Sequence, residues 1–291
     1  MVSIGTYDGV HRGHRFLIEH LRQESENRGL KSGVVTFKNH PQSVVNPQHT
    51  PKTLSTLDER LALLEETGID YCILLNFDER LRSYTAEEFM TTLLNDYGVN
   101  ALILGYDNRF GRDRINCIDG YREIGKRLGV EVIQAPELKG NISSSTIRSL
   151  LLNGDVEAAN EALGYEYSLT GIITAGKQLG RTIGFPTANL DVNDKNKLIP
   201  ANGAYATIAI TADGSKHKAM VNIGRRPTVD VKDAPITIEA HLLDFNSDIY
   251  GQSLTLKFIK FLRPEKRFNS LEELSAQLSC DLNNVSLISI N

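Results

Sequence analysis

Short, unbroken apolar runs alternate with helical patterns over the first 140 residues. Val2–Ile4, Gly33–Phe37, Tyr71–Leu75, Ala101–Leu104 and Val130–Gln134 read as buried strands; His14–Arg28, Thr56–Thr67, Ala86–Tyr97 and Asp119–Leu128 read as helices. In the first helix Leu17 and Leu21 share a face, as do His14 and Ile18, and Gly29 is placed to end it. This alternation predicts a parallel α/β sheet with right-handed crossovers. Ligands of such sheets sit beyond the carboxyl ends of the strands. From residue 143 to 163 the pattern is helix, break, helix, with Ser144-Ser145-Thr146 as the start and Asn153-Gly154 as the break. After Gly164 the period drops to two. Tyr167–Thr174, Ala204–Thr211, Lys216–Ile223, Thr237–Leu243 and Ser253–Leu262 read as short strands, with Asp213-Gly214 as a hairpin turn. They predict a small antiparallel barrel. A closing helix is predicted over Asn269–Leu278, capped by Ser270 with Glu272 and Glu273 in its first turn. Two different modules follow, 1–163 and 164–291.

Composition narrows the class. The chain has 291 residues, 41% hydrophobic and 23% charged, which fits a folded protein of two domains rather than a disordered one. No apolar run is long enough for a membrane span, and the first residues lack the basic and apolar regions of a signal peptide, so the expected location is cytoplasmic. Cys72, Cys117 and Cys280 are odd in number and scattered, which fits neither a disulfide framework nor a zinc site. The net charge is −4, and neither half carries the basic excess of a general nucleic-acid binder. An anionic ligand would have to be held by local groups.

Two stretches supply such groups. Gly5-Thr6-Tyr7-Asp8-Gly9-Val10-His11-Arg12-Gly13-His14 joins the first strand to the first helix. Asp8-Gly9 alone would be an ordinary turn. At a strand-to-helix junction, however, glycines allow close backbone approach, helix amides favour an anion, and His11 and His14 can face one spot. Ser143 and Ser144 at a helix start, with Arg148 one turn on, suit phosphate oxygens in the same way. In the second half, glycines 171, 176, 180 and 184 interleave with Lys177 and Arg181, a stretch able to wrap phosphates but not a Walker A loop. Glu239 stands in an otherwise apolar strand, a costly position for a carboxylate without a task. His241 shares its face and is expected to be structural.

The H-x-G-H positions resemble the nucleotidyltransferase superfamily. The longer run from Gly5 to His14 resembles the adenylyltransferase module of bacterial bifunctional riboflavin kinase/FAD synthetases. So do Thr36-Phe37-Lys38-Asn39-His40-Pro41, Gly105-Tyr106-Asp107-Asn108-Arg109-Phe110-Gly111 and Ile142–Arg148. Asn108 stands where that family more often has Phe, which puts one apolar contact in question. The chain also opens directly on its first strand, where relatives carry further residues. Phe185-Pro186-Thr187-Ala188-Asn189 matches the P-T-A-N motif of riboflavin kinases. Asn222–Thr228, Leu262-Arg263-Pro264-Glu265 and Gly203-Ala204-Tyr205-Ala206 match later motifs of that family.

The resemblance implies a Rossmann-like nucleotidyltransferase domain followed by a kinase β-barrel with a C-terminal helix. It implies phosphorylation of riboflavin to FMN, then adenylylation of FMN to FAD with release of pyrophosphate. ATP would be held in the first domain by Gly5, Asp8, His11, His14, Ser143, Ser144 and Arg148, with His11, His14 and Arg148 acting in catalysis. In the second domain it would be held by Gly176, Lys177, Gly180, Arg181, Thr187 and Asn189. Thr187 and Asn189 would also hold Mg²⁺, Glu239 would be the catalytic base, and Asn39, Asp107 and Arg263 would face the flavin. The implied partners are riboflavin, FMN and ATP, with no nucleic acid or membrane; self-association stays open. Three rival readings remain at this level: a kinase with an impaired adenylyltransferase domain, a flavin-binding sensor or carrier, and adenylyl transfer to another acceptor.

Overall fold

The computed structural model describes residues 1–106, 108–138, 140, 142–174, 185–225 and 235–290. By its internal contacts the chain divides into two compact units, Met1–Ser144 and Ser145–Asn291.

The first unit is built on five parallel strands: β1 (Val2–Ile4), β2 (Gly33–Phe37), β3 (Tyr71–Leu75), β4 (Ala101–Leu104) and β5 (Glu131–Gln134), in the order β3-β2-β1-β4-β5. Helices α1 (Arg12–Asn27), α2 (Gln42–Val45), α3 (Leu57–Glu65), α4 (Glu79–Arg82), α5 (Ala86–Tyr97) and α6 (Ile118–Leu128) connect them. Neighbouring strand residues point to opposite faces, which is why the strands read as continuous apolar runs. Val34 packs with Ile18 and Leu21 of α1 and Leu64 of α3, whereas Val35 packs with Phe89 and Leu93 of α5 and Tyr121 of α6. Thr56 with Glu59, and Thr85 with Glu88, form capping boxes that start α3 and α5. The strand order reverses between β1 and β4. A crevice therefore opens at their carboxyl ends, where β1 runs out at Ile4.

The second unit begins with the helical pair α7 (Ser144–Leu152, its first residue in the first unit) and α8 (Val156–Leu163). The Asn160 side chain fixes this pair to the barrel: its amide donates to the Phe258 carbonyl at 2.8 Å and accepts from Tyr167 N–H at 2.7 Å. The closed antiparallel barrel comprises β6 (Ser168–Thr174), β7 (Ala188–Asp191), β8 (Gly203–Thr211), β9 (Lys216–Arg225), β10 (Ile236–Leu242) and β11 (Ser253–Pro264), in the order β10-β7-β6-β11-β8-β9 with β9 rejoining β10. Leu254, Leu256 and Phe258 are fully buried, as their period-two spacing predicts. β7 is the strand that patterning misses, because it is four residues long and carries Asn189 and Asp191.

The closing helix α9 (Leu271–Ser286) is capped by Ser270 as expected but runs eight residues further. Those residues are weak helix formers, and tertiary contacts hold them. Val285 packs with Ala206 and Met220, and Asp281, 2% exposed, accepts a forked contact from Arg263 at 2.9 Å. Removing one partner of such a pair strands a charge. Asp281→Ala should therefore destabilise the barrel by about 3 kcal/mol, the lower end for a buried pair because Arg263 keeps some solvent. Chemical denaturation measures this. A change under about 0.5 kcal/mol, the range of ordinary surface substitutions, would show that the contact contributes nothing.

Candidate functional site

The loop after β1 is strained and tightly pinned. Tyr7 and Val10 adopt φ of +49° and +35°, values that side-chain-bearing residues avoid, and Gly9 between them has φ +78°. Asp8 explains how the loop holds this shape. Its buried carboxylate accepts from Leu54 N–H at 2.9 Å and Ser55 N–H at 3.1 Å, while Gly9 N–H donates to the Ser55 hydroxyl at 2.9 Å. Asp8, expected to face ATP, thus turns inward as the loop's anchor.

Arg60 is a second anchor, and sequence reasoning overlooked it. From inside α3 its buried guanidinium donates to the carbonyls of Thr6 and Phe37, tying the loop to the end of β2. Burial draws its pKa down, with Asp8 pulling the other way. Nothing local in the sequence marks it, since its partners lie 54 and 23 residues away.

The anchored loop presents the two histidines. His11 caps α1, its Nδ1 accepting from His14 N–H at 3.4 Å. The two imidazoles stack with centroids 3.7 Å apart and 17° between planes, and the Tyr7 ring stands 5.2 Å from His14. Gly13 leaves room for the stack, since a Cβ there would lie 3.2 Å from the His11 ring and oblige it to shift. Ser144 at the start of α7 closes the loop from the other side by donating to the Asp8 carbonyl at 3.1 Å. Ser143 precedes it, and Arg148 lies one helical turn beyond it, half-buried.

Burial first, and His11 second, hold His14 well below the ordinary histidine range, so its ring is neutral near pH 7. Its Nδ1 is buried and has no partner among the described residues. An unfolded chain takes up this proton near pH 6.5 and the folded one does not. Stability is therefore complete above that pH and declines as the pH falls towards the folded value. The decline should be about 1.4 kcal/mol per pH unit. It is read as the difference in pH dependence of unfolding between the natural protein and His14→Asn; identical slopes would refute it.

His14 and Gly5 open onto a cavity of about 730 Å³ at the crevice between β1 and β4. Phe37, Phe77, Phe89 and Phe110 supply aromatic walls, and Arg109, Arg112 and Arg114 reach it as well. Asn39, expected to touch flavin, instead clamps the backbone of Phe77, donating to its carbonyl at 2.8 Å and accepting from its N–H at 2.9 Å. Its effect on the cavity is to set the Phe77 wall. Asn108 donates to the Ile4 carbonyl, so a polar tie to the end of β1 occupies the position where an apolar contact was in question. Asp107 lies outside the described residues.

In the barrel, register assembles a polar row. Asn222 of β9, Glu239 of β10 and Asn189 of β7 are directly paired across three strands, and Thr174 of β6 pairs with Asn189. Paired residues share a face, so the Glu239 carboxylate stands between two amides. It makes no ion pair with any described residue. Asn222 belongs to a motif noted in the sequence, but only register reveals it as a neighbour of Glu239. His241 accepts the structural role expected of it: its Nδ1 lies 2.7 Å from the Pro186 carbonyl, holding the residue before Thr187 in place. Arg263, expected at the flavin, is engaged by Asp281 and lies over the Phe268 ring at 5.6 Å. Nearby, Asn202 donates to Glu265 at 3.4 Å, and that carboxylate lies directly over Gly224, so a side chain there would have to displace it. Gly176, Lys177, Gly180, Arg181 and Arg226-Pro227-Thr228 lie outside the described residues.

Comparison with known proteins agrees with the division into two modules. A family model described as FAD synthetase matches residues 1–149, and one described as riboflavin kinase matches 163–288. The bifunctional riboflavin kinase/FMN adenylyltransferase of Pseudomonas fluorescens is 37% identical over 286 residues, covering 97% of this chain and 90% of that protein. The protein of the same name from Bacillus subtilis is 34% identical with the same coverage. A crystal structure from Streptococcus pneumoniae, described as a macrolide-efflux protein, has a TM-score of 0.88 at 31% identity, covering 99% of this chain and 94% of that one. The efflux description stays with that protein; no described helix here is long and apolar enough to cross a membrane. Matched by a family model on each half and by relatives along nearly their whole length, the chain belongs to the bifunctional riboflavin kinase/FMN adenylyltransferase family.

Proposed function

We propose that this chain makes FAD in two ATP-dependent steps, with adenylyl transfer in residues 1–163 and the kinase in 164–291. The observation that supports it is the presence of two separate polar constellations, the stacked histidines at the α/β crevice and the Asn222–Glu239–Asn189 row on the barrel.

In the kinase step Glu239 takes the proton of the ribityl 5′-hydroxyl as that oxygen forms its bond to the γ-phosphorus of ATP. The bond from that phosphorus to the β-bridging oxygen breaks and ADP leaves. A carboxylate flanked by neutral amides rather than by a cation keeps its lone pairs available for this task. Thr187 and Asn189 stand two residues apart at the start of β7, with Glu239 directly across from Asn189. Hard oxygen donors in this number suit a Mg²⁺ ion whose remaining positions go to phosphates and water. Bound there, the ion would neutralise phosphate charge.

In the second step a phosphate oxygen of FMN attacks the α-phosphorus of a second ATP and pyrophosphate leaves. No protein nucleophile is required, so positioning and charge stabilisation carry the catalysis. Neutral His14, and His11 stacked on it, donate to the α-phosphate oxygens without a fixed charge to desolvate. Ser143, Ser144 and Arg148 take the phosphates from the α7 side. The proposal includes a cytoplasmic location, in keeping with three free cysteines.

The test is a time course with purified protein, riboflavin, ATP and Mg²⁺, separating the flavins. FMN first and FAD following supports both steps. FMN without FAD removes the second. Bound flavin without conversion leaves a flavin carrier.

A further inference from the structure

The turn after Phe110 is built with more care than a surface loop needs. Tyr121 Oη bridges Phe110, accepting from its N–H at 2.9 Å and donating to its carbonyl at 2.8 Å. Arg112 N–H donates to the Tyr84 carbonyl at 2.8 Å, and the Asp113 carboxylate accepts from Ala86 N–H at 2.9 Å. Gly111 has φ +87°, with its Cβ direction blocked by the Ala86 backbone at 2.5 Å, and Arg114 itself sits at φ +48°. Strain of this kind persists only where surroundings enforce it.

The fixed turn sets two further arginines at the aromatic cavity. Arg109 spends its guanidinium on the carbonyls of Tyr106 and Asn108. Arg112 and Arg114 make no ion pair or side-chain hydrogen bond with a described residue, although both line the cavity that His14 opens onto. Three arginines within six residues, 109 to 114, were the signal in the sequence. Two like charges beside an apolar wall, Arg112 only within electrostatic reach of Glu88, whose carboxylate is taken up by Thr85, favour an anion of charge −2 that accepts several forked donors.

We propose that Arg112 and Arg114 bind the 5′-phosphate of the flavin and so make the adenylyl-transfer site select a phosphorylated flavin over riboflavin. The assignment rests on the adenylyltransferase reading above. The aromatic walls take the ring system, which FMN and riboflavin share; the phosphate is the only group that distinguishes them. The triphosphate of ATP is the competing anion. The favoured source is the flavin because the turn is tied to Tyr84, Ala86 and Tyr121, on the aromatic side of the cavity, and not to the Gly5–His14 loop.

Steady-state FAD formation from FMN and ATP tests this, comparing the natural protein with Arg112→Gln/Arg114→Gln. The KM for FMN should rise about 10- to 100-fold, the scale of lost charged hydrogen bonds. It should also lose most of its dependence on ionic strength. The KM for ATP, the riboflavin kinase rate and inhibition of FAD formation by lumiflavin, which has the ring but no phosphate, should not move. Unchanged lumiflavin inhibition also reports an intact cavity. Arg112→Lys/Arg114→Lys should fall between, keeping charge but losing the fork. An unchanged FMN KM overturns the assignment, and a rise in the ATP KM alone gives the arginines to the triphosphate. If the natural protein makes no FAD from FMN, the adenylyltransferase reading falls and this assignment falls with it.

Discussion

Replacing Glu239 by glutamine should lower FMN formation by about 10²–10⁴-fold, the usual contribution of a positioned general base. FAD formation from added FMN should keep its rate. Glutamine preserves the size of the side chain and its place between Asn189 and Asn222, so the barrel should fold as before. What disappears is the ability to accept a proton as the ribityl oxygen attacks. The ground-state contacts to flavin and ATP are largely unaffected, so kcat should fall far more than KM rises. Separating the flavins after incubation with riboflavin, and in a second vessel with FMN, reads both activities from one preparation. Equal loss of both steps in a folded protein would break the division of labour between the two units.

The complementary result is expected from His14→Ala. FAD formation should drop by about 10²–10³-fold, the cost of removing one preorganised donor from a developing oxyanion, while riboflavin phosphorylation continues. The donor is preorganised in three ways. His11 caps the helix and stacks on it, Gly13 leaves room for the stack, and Asp8 with Arg60 fixes the backbone from below. FMN would then accumulate from riboflavin and stop there. If His14→Ala made FAD at the natural rate, the imidazole would have no part in the transfer.

How much of this could be read in advance depended on the range of the interaction. Strands buried on both faces announce themselves as apolar runs, and β1 to β4 fall where those runs lie. The stacked histidines belong to one ten-residue stretch and were legible together. Asn39 and Asp8 show the limit: a polar residue beside a ligand cavity can be noticed in sequence, but not whether its side chain points at the ligand or at its own backbone support. The part played by Arg60, and the place of Asn222 beside Glu239, were hidden for a different reason. Each acquires its role from partners brought near by the fold, through a helix docked on a sheet in one case and through strand register in the other. β7 read as a ligand motif because its few residues are polar, and it is both a motif and a strand.

The far half of α9 bears on where this chain tolerates being cut. Residues beyond Leu278 lie past the end of the helix that the pattern predicts, yet Asp281 and Val285 are buried against the barrel and Lys218 Nζ reaches the Ser286 carbonyl. A stop codon placed after Leu278 would uncover Ala206 and Met220 and leave Arg263 without its carboxylate. An extension fused beyond Ile290, where the helix has already ended, would disturb none of these contacts.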